Sequence, residues 1–358
     1  MKYKENTLEA VELLKQIVAI PSLSRNEINV ANLIEDFLKS KGCIPNRKGN
    51  NVWVVSEGFD DNKSTILLDA HIDTVKPVNG WTHDPFTPEE TADGIIYGLG
   101  TNDDGGSLVS LMQVFLIDKI TRSEQTDYNL IFLASCEEEV SGQNGIECVI
   151  PELPQIDFCV VGEPTGMQPA IAEKGLMVID AIAHGKAGHA ARNEGVNAIY
   201  KAIDDINWVR NYKFDKQTEF LGPVKMTVTI VGAGSLHNVI PDECKFTIDV
   251  RSNECYSNQE ILDVITQNLT SDVKARSTRL NSSRIDIDHP FVARAIAIGL
   301  KPFGSPTLSN QALMSFPSVK IGPGDSARSH TADEFIKVSE IDDAIDKYCQ
   351  LLIGKDCQ

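Results

Sequence analysis

The sequence predicts an α/β fold, a mostly parallel sheet covered by helices, with an inserted α+β module. Three observations lead there. Up to about residue 175, short apolar runs bounded by polar residues or glycine alternate with stretches of helical periodicity, the pattern of strand and helix units in a covered sheet. From 176 to 282 the strand-like segments interleave with only two helical patterns, as in a small sheet backed by helices. The 358 residues, 42% of them hydrophobic, suffice for about two domains with cores of their own. The expected division is a discontinuous first domain, 1–175 and 283–358, around an insert at 176–282.

The elements follow in order. Leu8, Val11, Leu14, Ile17 and Val18 fall at helical spacing. Ser24-Arg25-Asn26-Glu27 reads as a capping box before a second helix through Val30, Leu33, Ile34 and Leu38, with Gly42 ending it. The runs 52–55, 65–68, 130–134 and 158–161 read as buried strands, and a Gly-rich loop, Gly98 to Gly106, opens an apolar helix from Leu108 to Ile120. In the insert, 177–181, 225–230 and 245–250 read as strands and the helices lie near 195–209 and 258–269. The chain then returns through Val319-Lys320-Ile321-Gly322 to a closing helix from Ser339.

Charge and cysteine usage narrow the function classes. With 33 basic and 51 acidic residues the formal charge is -18, which opposes nucleic acid and anionic membranes, so neither is an expected partner. The opening segment lacks the apolar core of a signal peptide, and no run approaches about 18 apolar residues. A cytoplasmic protein is expected. The eight cysteines show no C-x-x-C spacing and sit mostly in apolar segments, as buried thiols do.

Several acidic or imidazole side chains come directly after apolar runs, at what would be the carboxyl edge of a parallel sheet. His71 and Asp73 follow Ile66 to Ala70; Glu137, Glu138 and Glu139 follow the run ending at Ala134; Glu163 follows Val160-Val161-Gly162; His330 lies in the loop after Val319 to Ile321. Asp103 and Asp104 occupy the Gly-rich loop. Three successive glutamates bring like charges within about 4–6 Å, which is unfavourable without cations or a raised pKa. Imidazoles and carboxylates without cysteine suit a catalytic zinc pair that keeps a position for water. A dinucleotide fingerprint starting at Gly98-Leu99-Gly100 fails, because its third glycine would fall on Asp103.

Ala70-His71-Ile72-Asp73-Thr74-Val75, Gly98 to Gly106, Glu137-Glu138-Glu139, Gly162-Glu163-Pro164-Thr165, Gly188-His189-Ala190-Ala191-Arg192, Asn238-Val239-Ile240-Pro241 and Ser329-His330-Thr331 resemble, in this order, the di-zinc aminoacylase family. That family includes acetylornithine deacetylases, succinyl-diaminopimelate desuccinylases and glutamate carboxypeptidases. The resemblance implies a zinc-binding catalytic domain and, in the insert, a ferredoxin-like dimerisation domain. It implies two Zn2+ per subunit, with Co2+ able to substitute: His71 and Glu163 on one ion, Glu139 and His330 on the other, Asp103 bridging. Glu138 matches the general base, which takes a proton from the attacking water and returns it to the leaving amine. Asp73 would accept the other N–H of the His71 imidazole and fix its tautomer. His189 matches a histidine that stabilises the oxyanion in a partner subunit's site, and Asn238 a residue that assists it, so a homodimer with both acting in trans is implied. Arg251 matches a binder of the substrate carboxylate.

The chain length, the Gly322-Pro323-Gly324 segment and the compact insert look most like the acetylornithine deacetylase branch. That likeness implies N-acetyl- or N-succinyl-ornithine as substrate, in arginine biosynthesis, with Arg328 placed to pair with a succinyl carboxylate. A succinyl-diaminopimelate desuccinylase or a dipeptidase is the alternative within the family. An inactive binding or regulatory relative is the alternative of another class, but such a chain would be expected to lose the base or a ligand, and all six positions are kept. Three positions depart from the family pattern: Gly105 where Lys is usual, Glu137 where Asp is usual, and Asn193 where Pro often follows the Arg. His83, His184, His237 and His289 match no ligand position.

Overall fold

The structure, a computed structural model, describes residues 4–123, 126–192 and 194–353; Asn193 and Cys357 lie outside the described residues. It divides into two compact units. One is Met1–Ile171 with Ile285–Phe303 and Ser309–Gln358, the other Ala172–Arg284 with Gly304–Leu308.

The first unit is built on four adjacent parallel strands, in the order Tyr128–Ser135, Ser64–His71, Phe158–Val161 and Ser318–Lys320. Asn51–Val55 and then Asn46–Lys48 extend the sheet antiparallel beyond Tyr128–Ser135. Every residue of Tyr128–Ser135 but the first is buried, which is why the sequence shows an unbroken apolar run there rather than an alternation. Gly106–Thr121 buries Leu108, Val109, Leu111, Met112, Val114 and Phe115, apolar on all sides, because it packs between Glu5–Val18, Val338–Tyr348 and the sheet. Its two neighbours bury single stripes, Ala10, Leu13, Leu14 and Ile17 on one and Ile341, Ala344, Ile345 and Tyr348 on the other.

The second helix runs Ile28–Ser40, with Glu27 at its N-cap, and so starts three residues later than a cap at Ser24 would set it; Gly42, at φ 71°, follows its end. The capping box does not form. The Ser24 hydroxyl donates to Asp73 Oδ2 at 2.7 Å, and Glu27 accepts from the Arg25 N–H at 2.5 Å and Asn50 Nδ2 at 2.7 Å. Glu27 is fully buried, so donors brought to it by the fold replace the local cap. A capping box is made instead at Ser257 and Glu260, opening Asn258–Asn268.

In the second unit the chain order is strand Gly175–His184, helix Ala198–Asn211, strands Lys225–Ala233 and Glu243–Ser252, helix Asn258–Asn268 and strand Asp272–Ala275. In space the strands lie as Lys225–Ala233, Glu243–Ser252, Gly175–His184 and Asp272–Ala275, all antiparallel. This is a ferredoxin-like β-α-β-β-α-β unit. Gly175–His184 alternates buried and half-buried positions, and its Met177, Ile179 and Ala181 meet Phe246, Ile248 and Val250 beneath Ala198, Ala202, Ile261 and Ile265 of the two helices.

Cys136, Cys159 and Cys244 are buried free thiols. Cys349 is disulfide-bonded, which departs from the expectation of eight thiols. Among the described residues no helix is long and apolar enough to cross a membrane.

Candidate active site

The expected ligands sit past the carboxyl ends of the four parallel strands. His71 ends Ser64–His71; Glu138 and Glu139 follow Ser135; Glu163 follows Val161; His330 lies on the loop after Ser318–Lys320. Asp103 is carried on the turn that leads into Gly106–Thr121. That turn explains one departure from the family pattern. A Cβ at Gly105 would stand 2.4 Å from the Gly100 carbonyl oxygen and 2.6 Å from Leu14 Cδ1, so no side chain fits there.

The His71 ring Nδ1 lies 2.8 Å from the Asp73 carbonyl oxygen. A carbonyl only accepts, so Nδ1 carries the hydrogen and Nε2 turns toward the site. Nε2 stands 3.1 Å from Asp103 Oδ1 and 4.0 Å from Glu138 Oε2. On the other side, His330 Nε2 lies 3.0 and 3.1 Å from the two Glu139 oxygens and 3.7 Å from Asp103 Oδ2. Asp103 thus lies between two imidazoles. Ligand atoms of His71, Asp103 and Glu139 fall within 4.8 Å of one another, and so do those of His71, Glu138 and Glu163.

The electrostatics call for positive charge. Burial pushes Glu163 well above the usual carboxylate range, and the charges of Glu138 and Asp103 push it further. Burial raises Glu138 as well; the His71 charge pulls it back, while Glu139, Asp73 and Asp103 add to the rise. Burial draws His71 down, but its hydrogen bond to Asp103 and the surrounding carboxylates leave it well above its ordinary value. A neutral His71 would aim a lone pair at Asp103, so a proton or a cation belongs between them. With imidazole and carboxylate donors grouped around Asp103, the residues fit a pair of divalent cations such as zinc.

A pH test follows. Glu138, Glu163 and His71 have folded-state pKa values raised above their ordinary 4.5, 4.5 and 6.5. Their contribution to the metal-free fold is complete below those ordinary values and is lost as pH rises. Cations displace the same protons and bind more tightly as pH rises. The gap in melting temperature between metal-loaded and chelator-treated protein should therefore widen from about pH 5 to pH 8. A gap that narrows would rule out a metal centre on these residues.

Two expected roles change, those of Asp73 and Arg328. The Asp73 carboxylate stands 3.6 Å from His71 Nδ1 and does not accept its N–H; the Asp73 main-chain carbonyl does, because the carboxylate is engaged by the Glu138 and Glu139 N–H groups at 2.9 and 3.2 Å. Arg328 is not open to an acyl carboxylate: it makes a two-pronged pair with Glu340 at 2.9 and 3.0 Å and lies 4.3 Å over the Phe335 ring. Arg251 pairs with Asp249 at 2.9 and 3.1 Å, since residues two apart on a strand share a face. In the second unit His189 and Asn238 come together. His189 faces Val239 in a short antiparallel ladder, the Ala190 N–H donates to the Asn238 carbonyl at 3.0 Å, and both side chains are exposed.

Two carboxylates beside the site had no role in the sequence reading. Glu334 Oε1 accepts the N–H groups of Asn102 and Asp103, each at 2.9 Å, and so holds the Asp103 turn; burial and the charge of Asp103 push it up to about 8. Asp104 is buried, with neither carboxylate oxygen hydrogen-bonded, and burial raises it well above its ordinary value. Asp104 was visible beside Asp103. Glu334 lies three residues past the Ser329-His330-Thr331 motif, and that closeness was the signal that could have found it.

Residues 67–354 match the family described as Peptidase family M20/M25/M40. The chain is 27% identical to an acetylornithine deacetylase of Proteus mirabilis (strain HI4320), covering 96% of this chain and 95% of that one. It is 26% identical to a succinyl-diaminopimelate desuccinylase of Wolbachia pipientis subsp. Culex pipiens (strain wPip), covering 75% and 71%. Among solved structures, a tripeptidase from Staphylococcus aureus subsp. aureus mu50 shares the fold, with a TM-score of 0.76 at 20% identity over 97% of both chains.

Proposed function

We propose that this chain, which belongs to peptidase family M20/M25/M40, hydrolyses the amide bond of an N-acyl amino acid at a centre of two zinc ions. The observation that carries this reading is the convergence of His71, Asp103, Glu138, Glu139, Glu163 and His330 at the carboxyl ends of adjacent parallel strands. His71 and Glu163 would hold one ion, Glu139 and His330 the other, and Asp103 both. Bound there, the ions would polarise the acyl oxygen and acidify water. Glu138 takes a proton from the attacking water as the new C–O bond forms. It then delivers the proton to the amide nitrogen as the C–N bond breaks, leaving a carboxylate and a free amine. The Asp73 carboxylate holds the main chain under Glu138, and its main-chain carbonyl holds the imidazole.

N-acetylornithine or N-succinylornithine is the proposed substrate, in a cytoplasmic setting, supported by likeness to the Proteus deacetylase along nearly the whole chain. N-succinyl-diaminopimelate is a second reading, supported by the Wolbachia desuccinylase. The pairing of Arg328 with Glu340 supports the acetyl over the succinyl derivative of ornithine. Turnover of N-acetylornithine, N-succinylornithine, N-succinyl-diaminopimelate and a glycine-containing dipeptide should show one acyl amino acid preferred. Cleavage of the dipeptide alone would overturn the deacylase reading.

The proposed working form is a homodimer in which His189 and Asn238 complete the partner's site. Lys225–Ala233 is an edge strand whose Ile230 and Val231 are 61% and 58% exposed, and Ala198–Asn211 exposes Tyr200 and Ile203. An open edge with apolar side chains is what pairing with a second copy would cover.

A further inference from the structure

We infer that Glu27 is a positioning residue for Glu138, acting through the main chain of the Glu137–Glu139 turn. The inference rests on the reading of Glu138 as the base. Four successive main-chain N–H groups in and before this turn donate to side chains. Cys136 donates to Asn51 Oδ1 at 3.0 Å, Glu137 to Glu27 Oε1 at 3.3 Å, Glu138 to Asp73 Oδ1 at 2.9 Å and Glu139 to Asp73 Oδ2 at 3.2 Å. The acceptors come from three separate segments, so the path of the turn is set from outside it.

The turn needs such holding. Glu137 and Ser141 are non-glycine residues at φ 57° and 44°, a left-handed conformation that persists only where the surroundings impose it. Glu27 is fully buried. Its carboxylate also accepts the Arg25 N–H and Asn50 Nδ2, and thereby ties the loop before Ile28–Ser40 to the turn before Asn51–Val55. Ser24, three residues earlier, donates to the Asp73 oxygen that receives Glu139. Ser22 donates to the Ile72 carbonyl at 2.7 Å. One N-terminal loop therefore braces both the His71–Asp73 strand end and the glutamate turn. The Glu137 side chain folds away over its own turn, where Asn144 Nδ2 donates to it at 2.9 Å, so it does not replace Glu27 in this bracing.

The test uses the full-length, metal-loaded protein and whichever acyl amino acid the wild type turns over. Glu27→Ala should lower kcat about 10- to 100-fold with KM within about twofold, the signature of a misplaced base. In the metal-free protein, amide hydrogen exchange of the peptide spanning 136–139 should quicken about tenfold or more. Glu27→Gln keeps an acceptor for the Glu137 N–H and should recover most of kcat. Glu27→Asp keeps the charge but withdraws it from that N–H, and should remain slow. Should Glu27→Ala not fold, the Gln and Asp variants decide. A folded Glu27→Ala or Glu27→Asp protein with wild-type kcat and unchanged exchange overturns the inference, as does a fall in melting temperature alone. A wild type inactive on every compound overturns the proposed reaction instead, and the exchange measurement then decides whether Glu27 holds the turn.

Discussion

Replacing Glu138 with alanine is expected to lower turnover about 10²-fold or more, ~3 kcal/mol of barrier, while the protein keeps its metal. The expectation rests on placement and on charge. The Glu138 side chain is 11% exposed and 4.0 Å from His71 Nε2, and its main-chain N–H is anchored on Asp73 at 2.9 Å. In the metal-free protein burial raises its pKa, partly offset by the His71 charge. The measurement is kcat beside metal content for Glu138→Ala and wild type. Unchanged turnover would remove Glu138 from the mechanism. Loss of metal along with activity would make it a ligand instead, a role its grouping with His71 and Glu163 also permits.

His189→Ala is expected to depress kcat about 10²- to 10³-fold with little change in KM, because an oxyanion donor acts on charge that develops only on the way to the tetrahedral intermediate. His189 is exposed within its own unit, and its Nδ1 accepts the Ala191 N–H at 3.1 Å. That bond leaves Nε2 as the hydrogen-bearing nitrogen in the neutral ring, a donor. If the donor acts in trans, mixing inactive Glu138→Ala and His189→Ala proteins regenerates one intact site per heterodimer, about a quarter of wild-type activity for an equal mixture at full exchange. No recovery, with exchange demonstrated by native mass spectrometry, would sink the trans assignment.

The strands and most helices were legible in the sequence because their signals are local. Phe158–Val161 coincides with its apolar run, and the helices read near 195–209 and 258–269 form at Ala198–Asn211 and Asn258–Asn268. The candidate ligands other than Asp103 were legible because each comes after a strand of the parallel sheet, which delivers such positions to one edge, and Asp103 because it sits in the Gly-rich loop. Charge pairing was not. Arg328 and Glu340 are twelve residues apart, with the strand Phe335–Lys337 between them, and nothing in either segment says that the guanidinium is already taken.

Periodicity and position after a strand, which need no distant partner, suffice for the α/β class and the inserted α+β unit and mark the candidate imidazoles and carboxylates. What each buried polar group bonds to came from packing between distant segments. The Asp73 carboxylate went to the glutamate turn instead of the imidazole, and Glu27 went to Arg25, Asn50 and Glu137 instead of a helix cap. Glu334, three residues past the Ser329-His330-Thr331 motif, went to the Asp103 turn. The physical reason is the same in each case. A buried carboxylate must find donors among the groups desolvated with it, and which groups those are is settled by how segments dozens or hundreds of residues apart pack together.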